Sequence, residues 1–297
     1  MSETPYFSIV IPTYNREKFI ISTIHSLLKQ DFASFEILVI DDGSTDNTEQ
    51  AVKGIGDARV TYFKKENAER GAARNYGAGR AKGQYVNFFD SDDLAYSHHL
   101  SHARKAIDQL KNPEVLHLGY DIKDDQGAMI RVVDRWPATI NRTLINGNHL
   151  SCNGVFIRTD ITQQLRFSEI RDLSASEDYE LWLRLAARFP FHCVDGVTST
   201  VVNHESRSVL KINHDKFLKR FEVLEAELMK DETFVKAYRS DLGIFRAYTG
   251  IYIALHLAMS NHSVSESLGF LKKAFVERPS VVFTKRFLAV FKVLALR

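Results

Sequence analysis

Apolar runs and polar breaks alternate regularly through the first hundred residues. Tyr6 to Ile11 is a short β-rich run closed by Pro12. Phe19, Ile20, Thr23, Ile24, Leu27 and Leu28 then recur at helical spacing, so a helix follows the strand. Phe35 to Ile40 repeats the apolar run and leads straight into Asp41-Asp42-Gly43-Ser44. Asp46 is placed to cap a helix reaching Lys53. Ala58 to Phe63 reads as a third strand. Gly71 to Ala81, rich in Ala and Gly, reads as a close-packed helix ended by Gly83. Gln84 to Phe89 is a fourth strand, ending at Asp90-Ser91-Asp92-Asp93. Strands alternating with helices predict an α/β fold, a mostly parallel, doubly wound sheet with helices on its faces.

The rhythm weakens afterwards. Val115 to Val133 reads as two strands around Asp124-Asp125-Gln126-Gly127, an antiparallel excursion. Cys152 to Arg158 is a further strand. Glu177 to Arg188 places Leu181, Trp182, Leu185 and Ala186 on one helical face. Phe191 to Val202 supplies one or two more strands. From about His214 helical periodicity takes over, in stripes such as Phe217, Phe221, Leu224 and Leu228, and Phe245, Tyr248, Tyr252 and Leu255. A boundary near residue 212 divides the chain into 1–212, the α/β part, and 213–297, a helical C-terminal region.

Composition narrows the classes. The 297 residues are 44% hydrophobic and 26% charged, which excludes a disordered or collagen-like chain. With 39 Lys+Arg against 37 Asp+Glu, bulk charge favours no nucleic-acid partner. The two cysteines, Cys152 and Cys193, form neither a disulfide framework nor a four-cysteine zinc site, and are read as core filling in a reducing compartment. No signal peptide is indicated, and no uninterrupted apolar run has the length of a membrane span. The expectation is a cytoplasmic protein.

Chemistry gathers at three strand ends: Pro12-Thr13-Tyr14-Asn15-Arg16, Asp41-Asp42-Gly43-Ser44 and Asp90-Ser91-Asp92-Asp93. In an open α/β sheet, ligands bind in the crevice beyond the carboxyl ends of the strands, where all three would meet. Each cluster alone reads equally as a turn with a helix cap. Two carboxylates flanking one loop residue, Asp90 and Asp92, can both reach a hard divalent cation that also touches substrate phosphates. The P-loop pattern is missing, and Gly77 and Gly79 lie within a helix, so no dinucleotide fingerprint is present. Phosphate charge is then left to a metal and to arginines such as Arg74.

Five segments follow one another in the order seen in family-2 glycosyltransferases: Ser8 to Arg16, Val39 to Asp46, Gly71-Ala72-Ala73-Arg74-Asn75, Phe89 to Asp93, and Ser176 to Arg184. Over about residues 6 to 210 the chain resembles inverting members of that family with the GT-A fold, of the bacterial cell-surface polysaccharide type. The resemblance implies a GT-A nucleotide-sugar-binding fold, a mostly parallel mixed sheet flanked by helices, with a C-terminal helical extension. It implies a nucleotide-sugar donor, usually a UDP-sugar, and Mn2+ or Mg2+. By it, Tyr14 stacks on the base, Pro12, Thr13 and Asn15 shape the pocket, and Asp41 and Asp42 contact base and ribose. Arg74 contacts the nucleotide, Asp90 with Ser91 meets the ribose or a metal-bound water, and Asp92 ligates the metal. Asp178 is the general base, with Glu177 beside it to orient the acceptor. His204 is a candidate metal ligand or a surface residue, and Arg207 a candidate phosphate contact. His98, His99 and His102 are read as part of the helix after the metal loop.

The implied reaction adds one sugar to a growing glycan or lipid-linked glycan. A non-catalytic nucleotide- or glycan-binding member of the fold and a nucleotidyltransferase stand as alternatives. Residues 278–297 hold five basic residues and no acidic one among many Phe, Leu and Val. Such a segment suits peripheral contact with a membrane through 279–297, or docking on its neighbours or on a second subunit of a homo-oligomer.

Overall fold

The computed structural model describes residues 4–137, 139–205, 213–260 and 263–296. The first half follows the predicted alternation. Strand β1 (Phe7–Thr13) is followed by helix α1 (Ile20–Leu28), β2 (Phe35–Asp41), α2 (Thr48–Lys53), β3 (Val60–Lys64), α3 (Glu69–Ala78) and β4 (Tyr85–Phe88). These four strands are parallel in the order β3-β2-β1-β4. Their apolar runs are unbroken in β1 and β2 because both faces of those strands are buried.

Helix α3 starts two residues before the predicted range and stops earlier, with Gly79 at its C-cap. Close packing explains both its composition and its end. A Cβ on Gly77 would lie 2.4 Å from Val10 Cγ1, so a side chain there would push α3 off the sheet. A Cβ on Gly83 would lie 2.6 Å from the amide nitrogen of Ser8, so the chain must have left the helix before it runs against β1.

The second half supplies the antiparallel pairings. It contains a two-residue strand β5 (Leu94–Ala95), helix α4 (His99–Gln109), β6 (Val115–Asp124), β7 (Met129–Val133), β8 (Val155–Arg158), α5 (Thr159–Gln164), α6 (Glu177–Ala186) and β9 (Phe191–Asn203). Strand β8 is antiparallel to both β4 and β6, while β9 runs parallel to β6, and β7 lies on β6 as a hairpin. The sheet order is β3-β2-β1-β4-β8-β6-β9-β5. One apolar cluster fills the face holding Ile9, Ile11, Ile24 and Leu100, and another the face holding Val10, Leu38, Trp182 and Leu185.

Four histidine-bearing contacts fasten α4 to the sheet. His98 Nε2 lies 3.1 Å from the Val197 carbonyl, His102 Nε2 lies 2.9 Å from the Asp195 carbonyl, and the buried His99 Nδ1 lies 2.9 Å from Thr198 Oγ1. His99 also packs its ring edge on Phe89.

The C-terminal helices are α7 (His214–Lys230), α8 (Glu232–Tyr238), α9 (Leu242–Met259), α10 (Val264–Glu277) and α11 (Lys285–Ala295), the last two joined by a 3-10 turn, Pro279–Phe283. Leu224, Leu228, Phe234, Tyr238 and Phe245 belong to the same apolar cluster as Trp182 and Val10, so the core runs on across residue 212. A separate cluster, around Ile251, Ala254, Leu271 and Val290, holds α9, α10 and α11 together. The buried side of α9 is Ala247, Gly250, Ile251, Ala254 and Leu257, while Tyr252 of the predicted stripe is exposed. Small residues win that face because α10 packs directly on it.

Candidate active site

Polar groups from five segments converge on a cavity of about 210 Å³. Arg74, buried in α3, is its central cation. Its Nη1 donates to Glu177 Oε1 at 2.6 Å and its Nη2 donates to Asp90 Oδ1 at 2.9 Å. The guanidinium also lies 5.2 Å from the Phe167 ring centroid. A guanidinium holding two carboxylates in low dielectric is strongly ordered, and removing either side leaves an uncompensated charge. Glu177 is buried, with Arg70 Nε 3.8 Å from its Oε1 and with Oε2 lacking a hydrogen-bond partner among the described residues.

Asp178 stands beside Glu177 at the start of α6 and also lines the cavity. Its Oδ1 accepts from the Tyr179 amide at 2.7 Å, and its Oδ2 accepts from Asn148 Nδ2 at 3.0 Å. Cys152 Sγ lies 4.0 Å from the same Oδ2, and burial pushes its thiol pKa up, so the sulfur stays protonated. Burial, and then the adjacent charge of Glu177, pushes the Asp178 carboxyl up to about 6, with Arg74 acting in the opposite direction. A carboxylate of that basicity is ionised at neutral pH yet accepts a proton far more readily than an ordinary aspartate.

The residues of the 90–93 loop divide between two places. Asp90 faces the cavity. Asp92 and His204 lie outside its lining and meet each other, with His204 Nε2 3.2 Å from Asp92 Oδ2. Arg16 Nε is 3.5 Å from the same oxygen, and His204 stacks on Phe19 at a centroid distance of 4.4 Å. His204 Nδ1 is buried without a hydrogen-bond partner among the described residues. An aspartate oxygen and an imidazole nitrogen facing one another fit a divalent ion that takes its other ligands from water and phosphate. No group of three His, Cys, Asp or Glu side chains converges for a metal among the described residues, so a fully protein-built cage is not what this site offers.

The other strand-end clusters tie loops together. Asn15, at φ 52°, donates its amide to Ser44 Oγ at 2.9 Å and accepts from the Thr45 amide at 2.9 Å. Asp41 is fully buried, accepting from the Ser44 amide at 2.7 Å and from the Tyr62 hydroxyl. Asp42 takes Lys65 Nζ at 2.6 Å and the Ala68 amide at 3.0 Å. Pro12 and Thr13 are buried at the end of β1, Ser91 is buried in the 90–93 loop, and Tyr14 is half exposed. Arg207 lies outside the described residues.

Several residues of the site carry no mark in the sequence. Asn153 donates to Asp93 Oδ2 at 2.7 Å and accepts from the Asp90 amide at 2.9 Å, holding the 90–93 loop in place. Asn87 of β4 donates to the carbonyls of Asn153 and Val155, holding that segment in place. Tyr120, Ile122 and Leu150 complete the cavity wall. All but Asn87, which lies within the regular strand β4, come from the irregular middle, where no periodicity or spacing singles them out.

The family profile for glycosyl transferase family 2 matches residues 8–164, more than half of the chain. The Escherichia coli UDP-Glc:alpha-D-GlcNAc-diphosphoundecaprenol beta-1,3-glucosyltransferase WfgD is 31% identical over 179 residues, 60% of this chain and 68% of that one. The chain spans 36% of the length of uncharacterized glycosyltransferases from Rickettsia felis and Rickettsia conorii. Among solved structures, Staphylococcus aureus TarS 1-349 in complex with UDP superposes with a TM-score of 0.67 at 22% identity, covering 97% of this chain and 87% of that one. The Pyrobaculum calidifontis mannosyltransferase PcManGT, in complex with GDP-Man and Mn2+, superposes with a TM-score of 0.62 at 16% identity, covering 99% and 85%. With its mixed sheet, its strand-end acidic clusters and this match, the chain belongs to glycosyl transferase family 2 and has the GT-A fold.

Proposed function

We propose that the protein transfers a sugar from a nucleotide-sugar, a UDP-sugar in the first instance, to a hydroxyl of a glycan or lipid-linked glycan, with inversion at the anomeric carbon. The observation that carries this reading is Asp178: a carboxylate of raised basicity, aimed into a cavity whose other polar walls are Arg74, Asp90 and Glu177. The acceptor oxygen bonds to the anomeric carbon as the bond to the diphosphate breaks, and the hydroxyl proton passes to Asp178. Asn148 and the Tyr179 amide hold the two carboxylate oxygens in place for that transfer. Glu177 acts on the base through its charge, and its second oxygen is available to an acceptor hydroxyl.

Tyr14, exposed at the end of β1, is our candidate for stacking on the base, over the floor built by Pro12, Thr13, Asn15, Asp41 and Asp42. Mn2+ or Mg2+ would be held by Asp92 and His204, with Asp90 close by on the same loop, and Arg207 is assigned to the phosphates. When bound, the ion supplies positive charge against the leaving diphosphate. WfgD is named for UDP-Glc and a diphosphoundecaprenol acceptor, which supports a donor and acceptor of this kind. The GDP-Man complex of PcManGT makes the GDP-sugars the second donor class to test. We assign the reaction to the cytoplasmic side of the cell, in cell-surface polysaccharide synthesis.

The test is a panel of UDP- and GDP-sugars, read by metal-dependent binding and by release of nucleoside diphosphate. Asp178→Asn should keep donor binding and lose transfer by at least about a hundredfold. Transfer by this variant at the wild-type rate would remove Asp178 from the role of base.

A further inference from the structure

The C-terminal helices turn an apolar and basic face to solvent. Helix α11 seats Phe287 and Val290 on the cluster around α9. Its opposite side is not polar, as the outer side of a packed helix usually is. It carries Leu288 (57% exposed) and Phe291 (47% exposed) beside Lys285 and Lys292. The turn before it projects Phe283, which is 86% exposed. Over residues 272–296 there are six basic residues and one acidic residue, Glu277.

Helix α11 is tied to the segment that leads into the cavity. Arg286, on the first turn of α11, donates to the Asn146 carbonyl at 2.9 Å, and Leu150, Ser151 and Cys152 a few residues on line the cavity. The β7 hairpin stands on the same rim. Ile122, a cavity residue, pairs with Arg131 of β7, and Met129, Ile130 and Val132 of that strand are all exposed.

Helix α9 is the one helix among the described residues long and apolar enough to cross a bilayer. It serves instead as the seat for α10 and α11, leaving only Arg246, Tyr252 and Met259 of its side chains exposed. Among these helices, the surface left for contact with lipid is the outer layer.

We infer that the outer face of α11, with the Pro279–Phe283 turn and the β7 hairpin, docks on an anionic lipid surface. Phe283, Leu288 and Phe291 enter the boundary between headgroups and acyl chains while Lys285 and Lys292 meet lipid phosphates. A second copy of the chain is the poorer occupant. A two-fold contact sets the same patch against itself, so these cations would face cations with one glutamate per chain to offset them. Docked in this way, the cavity opens beside the bilayer, where a lipid-linked acceptor would be presented. That consequence rests on the proposed acceptor, whereas the docking itself does not.

Flotation of the full chain with vesicles tests it without substrate. Vesicles of phosphatidylcholine alone are compared with vesicles containing phosphatidylglycerol. The wild type should bind the anionic vesicles about tenfold better or more, and added salt should weaken that binding. Phe283→Ser/Leu288→Ser/Phe291→Ser should lose about tenfold or more, and Lys285→Glu/Lys292→Glu should lose the preference for phosphatidylglycerol. Donor binding in solution should be unchanged; thermal unfolding is followed for each variant because Phe291 also packs on Phe287. Met129→Ser/Ile130→Ser should also weaken binding; an unchanged value would overturn the placement of the cavity at the bilayer. Equal or absent binding to both vesicle types, or variants that bind like wild type, would overturn the inference. So would a dimer in sedimentation velocity that the triple variant dissociates. Vesicle binding without sugar transfer would count against the proposed function alone.

Discussion

Asp178→Asn should stabilise the protein while abolishing its chemistry, and the gain should depend on pH. The native carboxyl sits at about 6, against an ordinary aspartate value near 3.8. Because the folded value is the raised one, the native state disfavours the charged form. The penalty is absent below the unfolded pKa, grows between the two values, and is complete above the folded one. A shift of about two units corresponds to a penalty on the order of 3 kcal/mol at pH 8 and about 0.5 kcal/mol at pH 4. Asparagine removes the penalty, but its one oxygen cannot accept from both Asn148 and the Tyr179 amide, which costs about 1 kcal/mol. The variant should then be more stable than wild type by on the order of 2 kcal/mol at pH 8, and equal or slightly less stable at pH 4. Urea denaturation followed by tryptophan fluorescence reports this directly, since Trp182 is buried on α6 one turn beyond Asp178. A difference between variant and wild type that is the same at both pH values would refute the argument that burial and Glu177 strain this carboxylate.

Other consequences are open to measurement. Arg74→Met leaves Asp90 and Glu177 without their shared cation and should cost about 3–5 kcal/mol in urea denaturation; a loss under about 1 kcal/mol would mean that the ion network is not what holds α3 to α6. Asn153→Ala removes the donor to the buried Asp93 and the acceptor for the Asp90 amide, and should cost about 2–3 kcal/mol, with a parallel fall in metal-dependent donor binding measured by calorimetry. Asp92→Ala should abolish the dependence of donor binding on Mn2+ or Mg2+, so that titrations with and without the ion coincide. The transfer rate at saturating substrates should fall about tenfold per pH unit below about pH 6, as the base becomes protonated; a flat profile down to pH 5 would contradict the assignment of Asp178.

Much of the fold and part of the site were legible along the chain. The parallel half could be read because its signals are local: an apolar run makes a strand buried on both faces, and the polar cluster after it must lie at that strand's carboxyl end. Asp90 stood out for the same reason, as an acid at the end of a strand, whereas Glu177 and Asp178 were singled out only by the family resemblance, since acids in the first turn of a helix are ordinary. The antiparallel entry of β8 between β4 and β6 was not legible, because a four-residue apolar strand holds nothing that specifies its direction.

Only the tertiary structure decided how the acids are employed. Asp41 and Asp42 look much like Asp90 and Asp92 in sequence, yet folding spends their oxygens on Ser44, Tyr62, Lys65 and Ala68 within the loop layer. Arg74 and Glu177 are 103 residues apart and meet at 2.6 Å. Asn148 and Asn153 gain their roles from the Asp178 and Asp93 carboxylates that the sheet brings to them. Sequence determined which groups could ionise and which segments could bury their faces, since both depend on neighbours a few residues away. Which charges compensate one another, and therefore which carboxylate is left with a raised pKa, depends on distances that only the packed chain sets.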